Sequence, residues 1–162
     1  MPAVIIYMSL HGCTEKAAQL LAKMSWKKVD LVNLRNQPIP TLDDYGTVIV
    51  GGSVHMGQIQ GKIRKFCNEN ERVLLTKRLG LYLCHMYEGE TAVQQFNDAF
   101  SEKLRNHSVA KGLFGGEFNL DKMNHHERML ILKTVGVDKS ISRMNIKAIE
   151  GFGRVIFHLD KS

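Results

Sequence analysis

The chain has 162 residues, 44% of them apolar and 23% charged; this is the make-up of one globular domain that can bury a core, and it excludes a disordered, collagen-like or coiled-coil chain. No uncharged apolar run approaches the roughly 20 residues of a membrane-spanning helix, and Met1-Pro2-Ala3 leads into an apolar run without a basic leader segment, so a cytoplasmic protein is the expectation. Three cysteines, Cys13, Cys67 and Cys84, form no C-x-x-C pair, which argues against a disulfide framework or a zinc knuckle, and a net charge of +6 favours acidic substrates, membrane surfaces or nucleic acid without choosing among them.

In chain order, short apolar or β-branched runs bounded by Gly, Ser, Asn or Pro read as buried strands: Ala3 to Met8, Val29 to Asn33, Thr47 to Gly51, Leu79 to Cys84 and Val109 to Glu117. Helical patterns lie between most of them. Ala17, Leu20, Leu21 and Met24 step with helical spacing behind Thr14 as cap, Ile63, Phe66, Cys67 and Leu74 form a second stripe, and Val93, Phe96, Phe100 and Leu104 a third. Asn145 is a good N-cap for a last helix whose apolar face is Ala148, Ile149, Phe152, Val155, Ile156 and Leu159. Strands alternating with helices imply an α/β fold with right-handed crossovers: an open, doubly wound, five-stranded parallel sheet of order 2-1-3-4-5 with helices on both faces. Two segments interrupt the alternation. One is 34–46, where Pro38 and Pro40 leave room for only a short turn of helix; the other is a helical insert at about 118–142 within the single domain 1–162.

In an open sheet of this kind ligands bind outside the carboxyl ends of the strands, where strand order reverses, so the loops after the first, third and fourth strands form the candidate site. The first loop, Ser9-Leu10-His11-Gly12-Cys13-Thr14, places hydroxyls, a glycine and free N–H groups at a helix N-terminus. The partial positive charge there can cradle a phosphate, although an ordinary helix cap has the same look. The loop lacks the Lys of a nucleoside-triphosphate loop and the G-x-G-x-x-G of a dinucleotide fold, so a monophosphate with little need of metal fits better. The segments Ser53-Val54-His55-Met56-Gly57-Gln58 and Cys84-His85-Met86-Tyr87-Glu88 suit a flat ligand. Glycine lets the backbone approach a ring, and Met56, Met86 and Tyr87 offer polarizable or aromatic faces, although either methionine would serve equally as core. His11, His55 and His85 fall one in each loop, and three histidines with an open position also make a catalytic zinc set. Apart from Glu88 and Glu90 no carboxylate is near to orient them, and a flat ligand would fill the same volume, so no metal is expected. Cys13, at a helix N-terminus but without an identifiable partner His or resolving Cys, reads as a loop residue.

The run Tyr7-Met8-Ser9-Leu10-His11-Gly12-Cys13-Thr14, followed by Val48-Ile49-Val50-Gly51-Gly52-Ser53 and Gly57, resembles flavodoxins. Phe114-Gly115-Gly116-Glu117 with Met123, the apolar-basic stretch from Glu127 to Gly136, and Phe152-Gly153-Arg154 resemble the last strand, insert and final helix of the menaquinone-dependent protoporphyrinogen dehydrogenases, which share that flavodoxin-like fold. The resemblance implies a bound FMN. Its phosphate would lie on Ser9, His11, Gly12, Cys13 and Thr14, in the loop that also holds Leu10, and its isoalloxazine between Ser53, Val54, His55, Met56 and Gly57 on one side and Cys84, His85, Met86 and Tyr87 on the other. It further implies an oxidoreductase in which porphyrinogen or a similar reduced substrate yields electrons to flavin and quinone accepts them, with the protein tuning potential and access. In flavodoxins a glycine-containing peptide of the second loop reorients towards reduced flavin N5, and Met56-Gly57 matches that place. His11 stands where Thr or Ser is usual, and Met56 where an aromatic is common. No acid–base residue carries over; His55 and His85 are the only candidates. Flavodoxins are commonly acidic, whereas this chain, at +6, suits propionates or the anionic headgroups around membrane quinones. A single charge at about 10 Å in water is worth only roughly 0.4 kcal/mol, so charge acts on partner choice more surely than on flavin potential.

The stretch from Asn124 to Gly136, with His125 and His126 near its start, carries more apolar surface than one helical stripe needs. Packing on the domain, a substrate lip or shallow contact with the inner face of a membrane through 123–137, or a homodimer interface would each cover it, with Lys122, Arg128, Lys133 and Lys139 available to propionates or headgroups. The alternative to an enzyme is a non-catalytic electron carrier between redox proteins, which needs no substrate pocket. Nucleic acid is not an expected partner, because the basic residues are dispersed and lack spaced aromatics on which bases could stack.

Overall fold

β1 (Ala3–Tyr7) is buried along its whole length, and β5 (Arg78–Cys84) is buried from its second residue onward. A strand with both faces covered has no polar side to show, which is why these segments read as continuous apolar runs. The computed structural model describes residues 1–9, 12–55, 57–118, 125–126, 129, 141–142 and 144–158. The remaining elements are α1 (Cys13–Met24), β2 (Val29–Asn33), β3 (Thr47–His55), β4 (Gln58–Ile59), α2 (Gly61–Glu69), α3 (Glu71–Leu74), α4 (Gly89–Ala99), α5 (Glu102–His107), β6 (Ala110–Leu113), β7 (Glu117–Phe118), β8 (Ile141–Ser142) and α6 (Ile146–Ile156).

The five parallel strands run in the order β2-β1-β3-β5-β6, the expected 2-1-3-4-5 arrangement, and β4 adds a short antiparallel arm to β3. Alternate residues of each strand face opposite sides of the sheet and divide the core in two. Val4, Ile6, Val48, Val50, Leu79, Leu81 and Leu83 pack with Ile63, Phe66, Leu74, Phe96 and Leu104 from α2 to α5. On the other face, Ala3, Ile5, Tyr7, Ile49, Tyr82 and Cys84 pack with α1 and α6 through Ala17, Leu21, Ile149, Phe152 and Ile156. Tyr82 stacks on Phe114, with ring centroids 4.8 Å apart, and Phe152 meets Phe114 edge-on at 5.4 Å.

Several element bounds differ from the sequence expectation for identifiable reasons. Thr14 is inside α1; the cap position is Gly12, whose φ of 93° is a left-handed conformation that glycine adopts without strain. The third apolar stripe is divided, because Phe100 is extended and Ser101 caps a new helix by accepting from the Leu104 N–H at 3.3 Å. The buried side of α4 is therefore Ala92, Gln95, Phe96 and Ala99, and Val93 is exposed. In α6 the Asn145 side chain accepts from the Ala148 N–H at 3.0 Å, as its N-cap position requires, while Val155 is exposed rather than part of the buried face. The strand expected over 109–117 stops at Leu113, and Gly115, at φ 73°, turns the chain before β7. β7 pairs with β8 in a two-stranded antiparallel ribbon that flanks the insert; within it, His125, His126 and Met129 have helical backbone and are exposed.

Candidate functional site

β1 is the strand from which the sheet is built in both directions, towards β2 on one side and β3 on the other, so the crevice at its carboxyl end is the switch point of the fold. Pairing between β1 and β3 ends at Tyr7 with Gly51, while β3 and β5 stay paired to Ser53 with Cys84. The first loop thus leaves the sheet lower than the other two and opens a step beside β3.

At that step Ser9 is buried, its N–H donates to Asn33 Oδ1 at 3.3 Å, and its hydroxyl accepts from the Gly12 N–H at 2.9 Å. The first intrahelical bond of α1 runs from the Lys16 N–H to the Gly12 carbonyl at 2.7 Å. The N–H groups of Thr14 and Glu15 therefore precede any intrahelical acceptor and carry the positive end of the helix dipole. Thr14 Oγ1 is buried with no hydrogen bond to nitrogen or oxygen among the described residues, and its polar neighbour is the weakly bonding thiol of Cys84. An anion at the head of α1 supplies the acceptor these groups lack, so the residues present fit a phosphate. Tyr7, its hydroxyl pushed up to about 12 by burial and then by the Glu15 carboxylate, stays protonated and donates to Glu15 Oε1 at 3.2 Å.

Ser53 and Val54 are half-buried on β3, and Gly57, at φ 81° with open space where a Cβ would lie, is exposed at the turn into β4. Among the expected site residues, Leu10, His11 and Met56 lie outside the described residues, as does the side chain of His55. Much of the insert also lies outside them, including Lys122, Arg128, Lys133 and Lys139, and so does Leu159.

The third loop is organised by His85. Its Nδ1 lies 2.6 Å from the Tyr87 carbonyl, its Nε2 accepts from the Gly115 N–H at 3.3 Å, and the backbone N–H of His85 donates to the Gly115 carbonyl at 2.8 Å. Those partners require the neutral tautomer with the proton on Nδ1, and burial lowers the ring's pKa in the same sense. Both ring nitrogens are committed, so His85 acts as a clamp between the loops after β5 and β6 rather than as a general base or a zinc ligand beside His11 and His55. Gly116 permits the close approach: a Cβ there would stand 2.7 Å from the His85 carbonyl oxygen. Met86 is half-buried and Tyr87 is exposed, whereas Cys84 turns inward against Cys13. The hydrogen bond with the Cys13 thiol and burial hold the Cys84 thiol well above its ordinary value. Among the described residues no three His, Cys, Asp or Glu side chains are grouped to hold a metal ion.

Sequence reasoning missed Gln60 and Asn33. Gln60 Nε2 donates to the Met8 carbonyl at 3.0 Å and to Ser53 Oγ at 2.8 Å, and its Oε1 accepts from the Ser53 N–H at 2.8 Å. A single polar residue at the mouth of a helix gives no sequence signal for such a role.

An open helix N-terminus at the switch point of a doubly wound sheet, beside the ends of β3 and β5, is where α/β proteins of this class take a ligand. The chain belongs to the flavodoxin-domain family, whose model matches residues 4–143. The cofactor of that family is FMN. No curated protein sequence matches the chain. Its fold is similar to that of oxidised flavodoxin 1 from Bacillus cereus (16% identity, TM-score 0.58, all of both chains covered). It is also similar to the flavodoxin of Streptococcus pneumonia (16% identity, TM-score 0.58, 98% and 99% covered) and to a WrbA-like flavodoxin from Agrobacterium tumefaciens (15% identity, TM-score 0.56, 99% of each covered).

Proposed function

We propose that this chain binds FMN with its phosphate at the head of α1 and its ring between the β3–β4 turn and the loop after β5, and that it oxidises a porphyrinogen or similar reduced substrate with a quinone as acceptor. The observation that carries the cofactor site is the orphaned Thr14 hydroxyl beside the open first turn of α1. When bound, FMN supplies the electron relay, and the chain's own groups bind and orient it. The Ser9 hydroxyl and the first-turn N–H groups hold the anion, Gly12 bonds to Ser9 and starts the helix, Gly57 gives the ring edge a backbone without a side chain in the way, and the His85 clamp fixes the loop that would cover the other face. Among the described side chains of the site, His85 has both ring nitrogens engaged and does not serve as a general base.

The substrate reading is supported by the likeness of 114–117, 127–136 and 152–154 to the protoporphyrinogen dehydrogenases and by the charge of +6, which suits propionates and anionic headgroups. On this reading the protein is cytoplasmic, works at the inner face of the membrane through 123–137, and pairs with a second copy or with lipid through that segment. A second reading, an electron carrier that exchanges electrons with protein partners, is favoured by one observation: the chain and flavodoxin 1 of Bacillus cereus cover each other end to end.

The first experiment is a visible spectrum and FMN fluorescence titration of the purified protein, with a metal assay on the same sample. Bound-flavin absorption with quenched fluorescence is expected; absence of FMN binding overturns the cofactor site. Steady-state oxidation of protoporphyrinogen with a quinone then separates the two readings. Replacement of 123–137 by a short linker should abolish that turnover and leave FMN bound, whereas reduction by a flavoprotein reductase without any substrate oxidation leaves the carrier reading.

A further inference from the structure

Gln60 joins the two halves of the site where the sheet no longer does. The β1–β3 pairing ends at Tyr7 with Gly51, and beyond it Met8 and Ser53 are linked through the Gln60 amide, which spends its donors on the Met8 carbonyl and Ser53 Oγ and its acceptor on the Ser53 N–H. Gln60 is 9% exposed, so water competes little for these bonds. Gly52 makes the arrangement possible, because a Cβ there would lie 2.6 Å from Ile59 Cδ1 and 3.1 Å from Gln60 Oε1 and would hold the β3–β4 arm away from its strand.

We propose that Gln60 is a positioning residue that locks Ser53, on the ring side of the site, to Met8, at the entry to the phosphate side, and so sets both the affinity for FMN and the midpoint potential of the bound flavin. The inference rests on the FMN reading above. A cofactor with its phosphate in one loop and its ring against another is held only as well as the two loops are held to each other, and a loop that must contact oxidised and reduced rings differently changes potential when its anchor is loosened.

The test compares wild type, Gln60→Leu, which removes all three bonds, and Gln60→Glu, which keeps the acceptor for Ser53 and sets an oxygen against the Met8 carbonyl. FMN affinity is read by fluorescence quenching, midpoint potential by spectroelectrochemistry, and stability of the flavin-free protein by thermal melting. Both variants are expected to bind FMN about tenfold or more weakly at neutral pH. A tenfold difference between the losses for oxidised and reduced flavin appears as about 30 mV in a two-electron potential. The Gln60→Glu variant is expected to recover affinity as pH falls through the carboxyl range, because protonation restores a donor towards Met8; wild type shows no such recovery. Ile156→Val, a core change on α6 beside Gly80 near the start of β5, serves as the control that lowers stability without moving potential. If wild type binds no FMN, the FMN reading fails and this inference with it. If wild type binds FMN and both Gln60 variants match it in affinity and potential, only the role of Gln60 is overturned. Loss of the fold in both variants also overturns it and makes Gln60 a folding residue.

Discussion

His85 places a titratable ring in a position that tolerates only its neutral form, with Nδ1–H facing the Tyr87 carbonyl and Nε2 facing the Gly115 N–H. Protonation of Nε2 would set two donors against each other, and burial opposes the charge as well. The folded pKa lies below the ordinary value of 6.5, so between the two values the unfolded chain binds more protons than the folded one. The stability His85 contributes is therefore complete above about pH 6.5 and declines as pH falls through that value towards the lower folded pKa. Thermal melts from about pH 7.5 to 5 should show a smaller pH dependence for His85→Asn than for wild type; equal slopes would mean the clamp does not hold in solution. The same residue shows the limit of reading a site from types and spacing. A histidine in a loop beside two others suggests a base or a ligand, and only the partners of its two nitrogens decide that it is neither.

At the scale of the elements, packing contacts separate positions that local pattern treats alike. Gly51 on β3 pairs with Tyr82 on the parallel strand β5, and a methyl group there would overlap the Tyr82 ring, whose hydroxyl donates to the Thr14 carbonyl at 2.9 Å. Gly51→Ala is expected to cost about 1–3 kcal/mol or more, through overpacking, and to weaken FMN binding by displacing the first turn of α1. A urea melt beside an FMN titration checks both, and a variant with wild-type stability would show that Tyr82 can move aside. Asn145 is a simpler case. Its side chain satisfies one N–H of α6, so Asn145→Ala should cost about 1 kcal/mol in the same melt and leave FMN affinity unchanged, because α6 contributes to the core and not to the site. That cap, the first four strand segments and the buried faces of α1 and α2 were legible in the chain because each is encoded within a few residues. The break between α4 and α5 and the exposure of Val93 and Val155 were not, since an apolar residue at helical spacing carries no mark of which neighbour, if any, will cover it.

For the molecule as a whole, the net charge of +6 sets the sign of its encounters. Electron exchange with an acidic protein partner, or turnover on anionic vesicles carrying quinone, should slow as salt rises through the range where the Debye length falls below about 10 Å, whereas FMN affinity, fixed largely by directed N–H groups, should change less. Stopped-flow rates across an ionic-strength series check this, and a rate independent of salt would remove charge from the argument about partners. The order of the sheet, and with it the switch point at which a ligand is expected, followed from the sequence alone. Strand and helix periodicities are local, and the handedness of parallel crossovers leaves few ways to connect them. What only the tertiary structure decided was how the loops are held to one another. The bond from Gln60 to Met8 spans 52 residues and that from Gly115 to His85 spans 30, so each exists only once particular strands lie side by side. Periodicity records which residues are buried, but a hydrogen-bonded polar group is defined by its partner, and a partner so far along the chain is chosen by the fold.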